Sequence, residues 1–125
     1  MATLYTYCIH KIKPHQYPHI EFIDTTVKAH HPDFAPTWAM VKAYKEGTLS
    51  EEAYTQQYIT LMKARYADNK TPWYAVLRAS EVALGCYCHP GKFCHRHLLA
   101  DLFQRLATHQ GYPLTLKGEL SPPLG

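Results

Sequence analysis

Between Val82 and Leu106 the chain gathers its most chemically versatile side chains. Three of the four cysteines stand there, Cys86, Cys88 and Cys94, with His89, His95, His97 and Arg96 beside them. Thiolate and imidazole are zinc ligands, so one chemistry is a metal site built from Cys86, Cys88, Cys94 and either His95 or His89. A second is nucleophilic catalysis by Cys94 or Cys88, with a histidine as base. A third is anion binding. Cys94-His95-Arg96 opens a helix, where unpaired N–H groups and the positive dipole end attract negative charge and lower a cysteine pKa. Arg96 there suits a two-pronged hydrogen bond to phosphate or carboxylate. A fourth reading is structural: cysteine is a common buried small residue, and Cys86 on an apolar run fits a core.

Spacing separates these readings. Cys-x-Cys is neither the usual zinc knuckle nor the Cys-x-x-Cys of thioredoxin-like proteins, and no second pair appears. The distance from cysteine to Arg96 is not that of the cysteine-dependent phosphatases. The sequence therefore points to a pocket with no assigned metal ligands and no identified cofactor. A Cys/His zinc-binding structural or interaction protein is the alternative.

The elements that position these groups follow from pattern. Thr3 to Ile9 reads as a strand, and Ile20 to Val27 alternates as a second. Helices are expected from Thr37 to Gly47, from Glu51 to about Tyr66 behind a Ser50 cap, and after Thr71-Pro72. Glu81 to Tyr87 is an apolar strand of the kind covered on both faces. On it Cys86 and Cys88 would face one way and Tyr87 the other. Leu98, Leu102 and Leu106 step along the helix that Cys94 begins, Gly111 ends it, and Tyr112 to Lys117 forms a last strand.

This order predicts a small single-domain α/β protein: three layers, a mostly parallel sheet, and helices on both faces. The domain spans residues 1–117, with 118–125 a flexible tail. If the second and third strands are parallel, Asp24-Thr25-Thr26 meets Cys86-Tyr87-Cys88 at the C-terminal edge, where open α/β sheets bind ligands. Asp24 then serves as a base or takes a ligand hydroxyl, with a capped strand end as the structural alternative. Tyr54, Tyr58 and Trp38 form an aromatic wall or, for a tyrosine stripe, core. His30-His31 belongs to a proline-rich loop.

Composition narrows the classes. A net charge of +3 without a basic stripe gives nucleic-acid binding little support. Ten tyrosines and two tryptophans argue against disorder. No leader-like segment and no membrane-length apolar run is visible, so the expected compartment is the cytoplasm and the cysteines are expected as thiols or ligands. Oligomeric state is not encoded in any feature.

Leu84-Gly85-Cys86-Tyr87-Cys88, then Phe93-Cys94-His95-Arg96 running into Leu98-Leu99-Ala100, resembles the domain-of-unknown-function 488 family. Ile23-Asp24 looks like that family's strand ending in aspartate. Trp38 to Gly47 with Ser50 to Tyr58 is similar to the helical insert of one branch. Many members carry arginine where this chain has Thr26, so a second basic contact, if the family uses one, is missing here or comes from elsewhere, as from Lys28 or Arg78. The resemblance implies a compact α/β fold and a polar site around Asp24, Cys86, Cys94, His95 and Arg96. Small proteins of this kind occur in phage genomes, which fits sequestering or degrading a nucleotide signal. The resulting expectation is a pocket for a small anionic, nucleotide-derived ligand, sequestered or acted on. Its catalytic candidates are Cys94, His95 and Asp24. Its binding candidates are Arg96, Cys88, Thr25, Thr26, Tyr54, Tyr58 and Trp38.

Overall fold

A computed structural model of the chain describes residues 2–27, 33–88 and 93–121. Strands β1 (Ala2–Cys8), β2 (Glu21–Asp24), β3 (Glu81–Cys86) and β4 (Leu114–Glu119) form one parallel sheet in the order β2-β3-β1-β4. The helices are α1 (Trp38–Lys45), α2 (Glu51–Asp68), α3 (Thr71–Arg78) and α4 (His95–Gln110). Short polar devices set their ends. The Thr37 and Ser50 side chains accept from the Met40 and Ala53 amides, and Gly111 closes α4 at φ 75°.

The connections explain the layering. From β1 the chain steps past β3 to the edge strand β2, then returns through β3 and on past β1 to β4. Parallel crossovers keep one hand, so steps in opposite directions must use opposite faces. The two return crossovers carry all four α-helices, and their buried residues join Leu4, Ile23, Val82 and Leu84 in one core cluster. The first crossover covers the other face with Ile12 and Ile20, which pack on Tyr7 and Ala83. Helices were expected on both faces. The second face has a single 3-10 turn, Pro14–Gln16, because that crossover is short and broken by prolines.

Several boundaries differ from the sequence reading, among them the ends of the two edge strands. β2 ends at Asp24, whose Oδ1 accepts from the Thr26 amide at 2.9 Å and turns the chain out of the ladder. β4 runs past residue 117 to Glu119, and the Leu120 amide still donates to the Thr6 carbonyl at 2.8 Å. Gly118, at φ 84°, stands where the β1–β4 register shifts.

Candidate functional site

The strands β1 and β3 are neighbours whose following connections leave on opposite faces. That arrangement opens a crevice at their C-terminal ends. A cavity of about 430 Å³ lies there. One wall comes from α1 and α2, with Trp38, Val41, Tyr44 and Tyr54, and Phe93 closes beside them. Thr26 and Val27 enter from the end of β2, and His10 from the end of β1. Cys86, Cys88, Cys94 and His95 line the remaining side. Trp38 is 59% exposed at the mouth. No carboxylate lines the cavity among the described residues, and Lys45 stands at its edge.

His95, the first residue of α4, is fixed by β2. Its Nε2 lies 2.8 Å from the Thr25 carbonyl and 2.9 Å from Thr25 Oγ1. A carbonyl only accepts, and Thr25 Oγ1 donates to the Gly85 carbonyl at 2.9 Å. Nε2 must therefore carry the proton, leaving a lone pair on Nδ1. Nδ1 is 3.7 Å from Cys94 Sγ. Burial is the main cause of a pKa lowered to about 4, against an opposing pull from the Thr25 carbonyl. The ring is neutral at neutral pH.

Arg96 sits behind the cysteines rather than in the cavity wall. It is fully buried. Nε and Nη2 donate to the two Glu119 carboxylate oxygens at 3.2 and 2.9 Å. Nη1 donates to Cys86 Sγ at 2.8 Å and to the Cys88 carbonyl at 3.0 Å. The expected anion contact is thus occupied by the protein's own carboxylate. Glu119 was not visible as a site residue, because only the β1–β4 pairing brings it there.

The sulfurs of Cys86, Cys88 and Cys94 lie within 4.8 Å of one another. Cys86 and Cys94 are bridged as a disulfide, with Cα atoms 7.7 Å apart, and Cys8 and Cys88 are free. Burial pushes the Cys88 thiol up, against the pull of Arg96 and Lys45. β3 ends at Cys86, so the strict alternation expected for residues 86–88 stops there, and Cys86, Tyr87 and Cys88 all line the cavity.

The other expected site residues divide. Tyr54 and Trp38 line the cavity. Tyr58 is fully buried beneath it, donating to the Phe34 carbonyl at 2.7 Å, with its ring 5.5 Å from that of His95. Thr25 holds His95 and has no exposed surface. Asp24 caps the end of β2 and is absent from the cavity wall. Thr26 lines the cavity, and its Oγ1 is buried without a hydrogen-bond partner among the described residues. His30-His31, Lys28 and His89 lie outside the described residues. Tyr44, Phe93, Val41 and His10 were not assigned to the site. Tyr44 and Val41 share a helix face with Trp38, which was legible. His10 and Phe93 come from loops, where no periodicity marks them.

The family model described as "DUF488-N3a: Active DUF488-N3 subclade" matches residues 8–107. The match takes in every cavity-lining residue and stops short of Glu119. Neither a curated protein nor a solved structure matches the chain.

Proposed function

The chain belongs to the DUF488 family, and on that premise we propose that its cavity binds a small anionic ligand with a planar, nucleobase-like ring. The observation that carries the reading is the Thr26 hydroxyl, buried in the cavity wall with no partner among the described residues. An unpaired buried hydroxyl costs about 1–3 kcal/mol, and a ligand polar atom would relieve it. Around it the wall is aromatic, which suits stacking of a flat ring. Lys45, with no lining carboxylate among the described residues, favours negative charge on the ligand. The volume, about 430 Å³, is that of a small-molecule site. Sequestration and turnover are both compatible with this pocket.

The test is mass spectrometry of small molecules released by denaturing the purified protein, followed by titration of the candidates into emptied protein. A nucleotide-like species should be recovered and should rebind. Thr26→Val and Trp38→Ala should weaken it by about tenfold or more while the chain stays folded. A released species that is altered after incubation would identify an enzyme. Equal affinity in Thr26→Val and wild type would overturn the reading.

A further inference from the structure

The sulfur cluster has a geometry that ligand binding in the aromatic pocket does not require. Cys86 and Cys94 are buried, Cys88 is exposed, and all three sulfurs lie within 4.8 Å of one another on one side of the cavity. We propose that in the reduced protein Cys86, Cys88 and Cys94 bind one thiophilic divalent cation, zinc by preference, through three thiolates, with the fourth position left to water or to the molecule the cavity holds.

Three observations support this. First, a tetrahedral zinc holds thiolate sulfurs about 3.8 Å apart, given the usual bond lengths. No two of the three sulfurs are more than 4.8 Å apart, and reduction of the Cys86–Cys94 bridge lets that pair part to the spacing an ion needs. Second, Arg96 donates to Cys86 Sγ at 2.8 Å. A guanidinium there stabilises thiolate charge, and Glu119 compensates its own. Third, the Cα atoms of Cys86 and Cys94 stand 7.7 Å apart. That exceeds the roughly 4.4–6.8 Å usual for a covalent bridge. Two sulfurs meeting at an ion rather than at each other accommodate the wider spacing.

The Cys-x-Cys spacing that spoke against a zinc knuckle is overcome by the end of β3 at Cys86. The backbone bends there, so Cys88 swings back toward Cys94 instead of continuing along the strand. The ion would sit in the cavity wall, in contact with whatever the pocket holds. The inference does not depend on the identity of that ligand.

The experiment uses the whole chain, reduced and stripped with chelator, then given one equivalent of zinc or cobalt. Zinc should remain at about one per chain after desalting. Cobalt should give a sulfur-to-metal charge-transfer band. Cys88→Ser alters an exposed position and should lower that band by about a third, from three thiolates to two. Cys8→Ser, outside the cluster, should leave it unchanged. Reduced, folded wild type that retains no zinc and shows no band overturns the proposal. A band that survives Cys88→Ser at full strength, or that is lost in Cys8→Ser, also overturns it.

Discussion

The His95 Nε2 nitrogen lies 2.8 Å from the carbonyl oxygen of Thr25, a bond that ties the first turn of α4 to the end of β2. The bond holds two elements far apart in sequence and places Nδ1 beside the cysteines. It also makes the ring's protonation a stability question.

An unfolded histidine titrates near 6.5, whereas burial holds His95 at about 4. Between these values the unfolded chain binds the extra proton, so stability rises with pH across the window and falls as pH drops from about 6.5 towards 4. The full loss from His95 is roughly 3 kcal/mol. His97 on the exposed side of the same turn is also lowered, by partial desolvation and by the neighbouring Arg96, and acts in the same direction. Urea unfolding of chelator-treated protein at steps between pH 7 and 4 should show the decline, with the His95 ring neutral by NMR down to about pH 4. A flat profile would remove the buried-neutral assignment.

Thr26→Val tests the empty hydroxyl. Valine keeps the shape and removes an oxygen that has no partner among the described residues, so the free protein should be as stable as wild type or gain up to about 1 kcal/mol. A loss above about 1 kcal/mol in thermal or urea unfolding would show that the hydroxyl is paired in solution.

The strand-to-helix block and the parallel sheet were legible because β3 is continuously apolar and α4 has a four-residue leucine step. The meeting of the β2 and β3 ends was expected only on condition that those strands run parallel, and they do. What Arg96 does was not legible. A helix-start arginine suits an anion, and nothing local shows that Glu119, 23 residues on, will be carried across β1 to meet it. Likewise, Asp24 carries a catalytic residue type, but its Oδ1 serves the turn two residues on. Local sequence shows which groups exist, and the sheet order decides which of them remain available.

Arg96 is fully buried and Glu119 is partly exposed, so removing the carboxylate leaves the buried guanidinium uncompensated. Glu119→Gln should cost about 1–3 kcal/mol and Arg96→Met about 3–5 kcal/mol. Arg96→Lys should not rescue, since one ammonium cannot reach Glu119, Cys86 Sγ and the Cys88 carbonyl with the guanidinium's geometry. Chemical denaturation of the three variants checks the order. Wild-type stability in Arg96→Lys would mean that charge alone matters.

Gly85 is the point where a single methyl group should disturb both the sheet and the site. It pairs with Tyr7 across β1 and β3, and a Cβ at residue 85 would run into the Tyr7 ring. The ring cannot simply swing aside, because it packs edge-on against Phe22 at 4.9 Å and is itself buried. Gly85→Ala should therefore cost about 1–3 kcal/mol by overpacking. The Gly85 carbonyl also accepts from both the amide and the hydroxyl of Thr25. A shift of β3 would thus pass through Thr25 to His95 and the cavity, and ligand or metal affinity should fall along with stability. Tyr7→Leu vacates the space that the new methyl needs. In that background Gly85→Ala should cost at least about 1 kcal/mol less than in wild type. Additive losses across the double-mutant cycle would show that the clash with Tyr7 is not what requires glycine at this position.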